Sequence, residues 1–136
     1  MVDKNVIGSR AQQIEGHLAR IAPYASMPLK KFLDDPLDVV EYNLFQIVNH
    51  LMDMVQHIVV DEGYGLPDNA YEAAEMLSKR GIFNEAEVRV FKQMVGFRNV
   101  VGHDYISINK RTVYSVLTKG QKDIRALLSR IVEKFL

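Results

Sequence analysis

The sequence has no cysteine, and only 4 prolines and 8 glycines in 136 residues. Without cysteine there is neither a disulfide framework nor a thiolate metal site. Few helix breakers favour long regular elements. No apolar run approaches the roughly 18 residues that a membrane helix needs. The opening stretch, MVDKNVIGSR, has no apolar signal-peptide core. These absences point to a cytoplasmic protein with no membrane partner. Excess charge is also lacking: the formal net charge is +0, which argues against constitutive, non-specific nucleic-acid binding. Hydrophobic residues make up 48% of the chain, so it can bury a core, and its length suits one domain spanning residues 1–136.

The charges are unevenly placed. Residues 32–78 hold no Lys or Arg but ten Asp or Glu, whereas residues 109–136 hold seven basic residues and two acidic ones. Ordinary solvated faces account for this pattern. Alternatively, a polyanion would be held by the two ends of the chain, away from the acidic middle.

Hydrophobic periodicity predicts five helices and no hairpin-bounded strands. The first covers about residues 5–25, with Val6, Ile14, Leu18, Ile21 and Ala22 approximating its apolar stripe. The second is capped by Asp35 with Pro36 in its first turn, and runs to about Asp61, before Gly63 and Gly65. The third covers about 68–80 and ends at Gly81. The fourth opens on a capping box, Asn84 to Glu87, and reaches about Val101. The fifth covers about 111–135, with Gly120 as its weak point. Short connections between long helices imply an all-α fold, an antiparallel four- or five-helix bundle.

The second helix is apolar on more than one side. Leu37, Val40, Leu44, Ile47, Leu51, Val55 and Ile58 form one stripe, with Val39, Tyr42, Phe45, Met52 and Val59 beside it. A small bundle has difficulty covering such a helix, so a homodimer built mainly on it is expected. Its remaining face carries Asn43, Gln46, His50, Asp53 and His57. His50 and Asp53 are candidate cleft-lining residues. The set is too spread along the helix for one ion and has no second cluster to complete a shell, so no metal site is expected. His17 reads as a surface residue of the first helix.

The segment GFRNVVGHDYIS, residues 96–107, breaks this pattern. The stripe Val88, Phe91, Val95 of the fourth helix leads on to Arg98. A partly buried guanidinium needs a partner. An ion pair with an acid of the second helix, such as Asp53, would supply one, and a position near a helix C-terminus is favourable in itself. Gly102 can let the chain leave the helix, so that His103 folds back toward Arg98. Histidine exchanges protons near neutral pH, and arginine offers a fixed fork for phosphate oxygens. Together they are a minimal metal-free set for cleaving RNA. The residues alone leave the structural pair and the catalytic pair both open.

The order Arg98, four residues, His103, one residue, Tyr105 resembles the signature of the HepT toxins, a family of the HEPN superfamily. The segments GLPDNAYEAAEMLSKRGIF, MVGFRNVVGHDYISIN and VNHLMDMVQHIV resemble its third, fourth and second helices. The resemblance implies a HEPN-like bundle whose dimer brings two Arg–His motifs to one cleft. It also implies a metal-independent endoribonuclease toxin that needs no cofactor. Its partner would be a cognate MntA-type nucleotidyltransferase antitoxin, and its substrate RNA. On this resemblance Arg98 and His103 are the catalytic pair, Asn99 supports them, and Tyr105 accepts AMP and silences the toxin. The alternative is a non-catalytic HEPN module that binds a nucleotide or only partners a nucleotidyltransferase. A purely structural bundle, with Arg98 paired inside its own subunit, is the third reading.

Overall fold

The computed structural model describes residues 1–34, 38–103 and 109–136, and of residues 101–103 the backbone. The described residues form helices and no strand: α1 (Lys4–Ile21), α2 (Leu29–Asp34), α3 (Asp38–Asp61), α4 (Ala70–Lys79), α5 (Glu85–His103), α6 (Lys110–Ser115) and α7 (Gln121–Phe135). A 3-10 turn, Ala22–Tyr24, follows α1, and a π turn, Val116–Gly120, joins α6 to α7. Asp35, Pro36 and Leu37, expected to start the second helix, lie outside the described residues.

Local chemistry sets the helix ends. Asp3 caps α1 by accepting from the Asn5 amide, and Asn69 caps α4 by accepting from Glu72. The capping box is present: the Glu87 amide donates to Asn84 Oδ1 at 2.8 Å, and the Asn84 amide donates to Glu87 Oε1 at 2.9 Å. Gly63 and Gly81, both at φ 72°, end α3 and α4. In each case the following residue reaches back five positions, Tyr64 to Val59 and Ile82 to Leu77. A side chain at such φ values is strained, which is why glycine stands there. At Gly120 the backbone widens into the π turn rather than breaking. The Gln121 side chain donates to the Leu117 carbonyl, and Thr118 Oγ1 to the Tyr114 carbonyl, so backbone acceptors in the distorted turn are satisfied.

Helices α1, α3, α5 and α7 close a ring, each packed on its neighbours, while α4 lies against α3 and α5. Opposed pairings show the antiparallel sense. The start of the chain meets the end of α3, where the Val2 amide donates to Glu62. Arg130, late in α7, bonds to Glu87, early in α5. Helix α3 is the centre of the core: Val40, Leu44, Ile47, Val48, Leu51, Met54, Val55, Ile58 and Val59 are all buried.

Three expectations change. Most of the apolar surface of α3 is covered within one chain, by α1, α4 and α5, so its hydrophobicity does not by itself call for a second copy. What is left uncovered is a narrower strip including half-buried Phe45 and Met52 and exposed Tyr42. In α1 the buried row is Ile7, Ile14, Leu18 and Ile21, whereas Val6 is half-buried and Ala22 exposed, because Pro23 turns the chain out of the α conformation. The short α2 shows no periodicity to read. It is held by Phe32, whose ring lies 5.1 Å from that of Tyr114.

Leu51 is fully buried at the middle of α3. Leu51→Ala is expected to destabilise the fold by about 2–5 kcal/mol. Urea denaturation checks this, and a midpoint equal to the parent's would show that α3 is not the core helix.

Candidate active site

Along α5 the residues Val88, Phe91, Met94 and Val95 are buried. The row then reaches Arg98, which is half-buried. Its Nε donates to Asn49 Oδ1 of α3 at 2.8 Å, and its Nη1 donates to Asn99 Oδ1 at 2.9 Å. The guanidinium carbon lies 5.3 Å from the centre of the Phe45 ring. These contacts orient the group and give it a cation–π surface. None of them neutralises it, because both oxygen acceptors are neutral amides.

The structural ion pair between Arg98 and Asp53, one of the alternatives left open by the sequence, is not found. Asp53 Oδ2 lies 3.0 Å from Arg10 Nε of α1. Four residues beyond Asn49, it is rotated about 40° around α3, and it meets α1 instead of α5. Among the described residues no carboxylate pairs with Arg98. A guanidinium has five N–H donors, so donors remain for an incoming anion.

The expected exit at Gly102 is also corrected: α5 runs through Gly102 to His103. A glycine weakens a helix by about 1 kcal/mol, which the rest of this long helix outweighs. Along a helix, positions 98 and 103 are separated by about 7.5 Å of axial rise. The side chain of His103, and the whole of Tyr105, lie outside the described residues.

The polar row of α3 divides between two neighbours. Gln46 Nε2 donates to Tyr42 Oη at 3.0 Å, and its Oε1 accepts from Asn49 Nδ2 at 3.3 Å. This joins Tyr42 to the Arg98 side through Gln46 and Asn49. His50 turns to α1 and stacks on His17, with ring centres 5.5 Å apart. It lines a cleft, but the one between α1 and α3, and neither it nor Asp53 touches Arg98. His57 is exposed. Among the described residues no three His, Asp or Glu side chains converge as metal ligands. His17, expected on the surface, is half-buried and bonded to the buried Asn43 at 2.7 Å. Sequence reasoning missed Asn49 and Phe45. They stand one turn apart beside the polar row, and only the packing of α5 on α3 gives them a partner.

Residues 14–131 match the family model described as "Ribonuclease HepT-like". The chain belongs to the HepT-like ribonuclease family. A protein of Archaeoglobus fulgidus, provisionally named an RNase, is 31% identical over 101 residues, covering 73% of each chain. The mRNA nuclease HepT of Shewanella oneidensis is 26% identical over 94 residues, covering 69% of this chain and 71% of that one. Among solved structures, the tri-AMPylated Shewanella oneidensis HEPN toxin, determined in complex with an MNT antitoxin, superposes with a TM-score of 0.86. It is 24% identical, with 98% of this chain and 99% of that one covered. The fold is therefore that of the HEPN toxins. No described helix of this HepT-like chain is long and apolar enough to cross a membrane.

Burial holds the pKa of His50 below its ordinary value, and the charges of His17 and Arg10 lower it further against the opposing pull of Asp53. Its folded state thus resists a proton that the unfolded chain accepts near pH 6.5. The stabilisation from neutral His50 is complete above that value and declines as the pH falls through it toward the lower folded pKa. His50→Gln is expected to lose less stability than the parent between about pH 8 and about pH 5. Urea midpoints at both pH values check this, and equal losses would sink it.

Proposed function

We propose that this chain is a metal-independent endoribonuclease toxin that acts as a homodimer. The observation that carries this reading is the state of Arg98: positioned by two amides and a ring, and paired with no described carboxylate, on the helix that also carries His103. Arg98 would hold a non-bridging phosphate oxygen and offset the charge that builds on phosphorus. His103 would take the proton from the 2′-hydroxyl, or return one to the departing 5′-oxygen. The 2′-oxygen then bonds to phosphorus as the bond from phosphorus to the 5′-oxygen breaks. Asn99 supports the site by fixing one arm of the guanidinium. The strip of Phe45 and Met52 on α3 suits a second copy of the chain, which would bring another Arg–His pair to the same cleft. The name of the Shewanella oneidensis relative, an mRNA nuclease, supports the substrate class.

Regulation follows from the same family. The AMPylated toxin in complex with MNT antitoxin supports a partner nucleotidyltransferase of the MntA type. Tyr105, two residues after His103, would be the acceptor. AMP there would bring bulk and negative charge to a site that otherwise receives an RNA phosphate.

With a chelator present, the unmodified protein is expected to cleave RNA. Arg98→Ala and His103→Ala are each expected to lower kcat/KM by about 10²–10⁴-fold, while circular dichroism shows the fold intact. Variants that cut RNA as the parent does would refute the catalytic assignment. Co-expression with the cognate nucleotidyltransferase is expected to add AMP mass to the parent and none to Tyr105→Phe. The same mass gain on both would place the acceptor elsewhere.

A further inference from the structure

The exposed part of α3 lies between two walls. Arg98 of α5 stands on one side, and α1 with His17 and Arg20 on the other. The open cleft between α1 and α3 has a volume of about 830 Å³, with His17, Arg20, Tyr42, Asn43, Gln46 and His50 in its lining. It joins the Arg98 site through the unbroken series Tyr42, Gln46, Asn49, Arg98.

The hydrogen-bond assignments in this cleft determine what Arg20 has to offer. Asn43 Nδ2 donates to the Val39 carbonyl at 2.7 Å, and a carbonyl can only accept. Asn43 Oδ1 is therefore the atom that faces His17 Nδ1 at 2.7 Å, and that nitrogen must carry the proton. Arg20 Nη1 lies 3.2 Å from the same nitrogen. With its proton committed to Asn43, His17 Nδ1 has no lone pair for Arg20. Among the described residues no carboxylate pairs with Arg20 either. The cleft thus holds a cation with unused donors beside a series of rings. His17 is stacked on His50 and meets Tyr42 edge-on at 6.4 Å, and Tyr42 is 58% exposed.

We infer that the cleft between α1 and α3 is a subsite for single-stranded RNA flanking the cleaved bond, with Arg20 on a phosphate and Tyr42 under a base. This rests on the nuclease reading and extends it to how the strand is held. Cationic donors alternating with exposed rings are the elements of single-strand recognition. The distance suits a strand: residues 42 and 49 are separated by about 10.5 Å along α3, more than one nucleotide spans and within the reach of a short single strand. The neutral donors of Gln46 and Asn49 line the path, and Asp53, one turn beyond Asn49, is held by Arg10.

The test measures binding of a 2′-O-methyl RNA oligonucleotide, which cannot be cleaved, and of free AMP to the unmodified protein across a salt series. Tyr42→Ala is expected to weaken oligonucleotide binding at least about fivefold. Arg20→Ala is expected to weaken it and to reduce the salt slope by about 0.7, the loss of one phosphate contact on a single strand. Gln13→Glu, at an exposed position on the cleft rim, should also weaken binding and carries little risk to folding. Parent-like oligonucleotide affinity in all three variants would overturn the inference. If His103→Ala still abolished cleavage, the nuclease reading would stand. Failure of the parent to bind or cut any RNA would overturn both. Losses seen for AMP alone would show a mononucleotide pocket, and a change of oligomeric state in Arg20→Ala would show a subunit contact. Either result also overturns the inference.

Discussion

A half-buried guanidinium paired with no described carboxylate is costly to maintain, and the packing of α5 on α3 is what supports Arg98. Removing charge from water is unfavourable unless other dipoles replace the water. Here Asn49 and Asn99 supply oxygen dipoles and Phe45 supplies the face of a ring. Such substitutes work only at fixed distances, so α3 and α5 must keep their register. The buried rows of both helices, centred on Leu51 in α3 and Phe91 in α5, provide that rigidity. On the proposed reading the core bears on function as well as stability, because it holds a charge where an anion would reach it.

The same constraint organises α3. One side is core, and its polar side is divided between α5, which receives Asn49, and α1, which receives Asn43, His50 and Asp53. Asp53 is paired with Arg10, so among the described residues the acidic middle of the sequence places no free carboxylate against Arg98. The apparent conflict between an acidic segment and the proposed RNA substrate is therefore reduced by folding. Glu41 shows a related effect: burial and the charge of Asp38 raise its pKa, partly offset by Lys110.

Much of this was legible in the sequence, and the parts that were not share a cause. Glycines at positive φ and the capping box announced helix ends, because those features are local and carry their own geometry. The arginine at the tail of a buried row announced a partly desolvated charge. Its partner was not readable, since choosing between Asn49 and Asp53 depends on how α5 crosses α3. Helix α2 is too short to show a period. The exit at Gly102 was inferred from residue type, yet a glycine permits a turn without requiring one, and the helix continues to His103. Tyr105 was interpretable only through family resemblance, and neither it nor the side chain of His103 is among the described residues.

The choice of amide over acid at position 49 separates two kinds of site. An aspartate there would neutralise the guanidinium and leave a structural ion pair, strong in itself but closed to a second anion. An asparagine satisfies the geometry of one N–H and leaves the charge in place. The same contrast recurs across the cleft at Asn43, whose side chain commits both the Val39 carbonyl and the His17 proton and leaves Arg20 uncompensated. In both places a buried or half-buried amide fixes its neighbours without cancelling a nearby cation. Two cations paired with no described carboxylate stand on opposite walls of α3, and the hydrogen-bonded series Asn49, Gln46, Tyr42 runs from Arg98 toward the cleft that holds Arg20; on the proposed reading this surface would suit a polyanion with regularly spaced charges rather than a single ion.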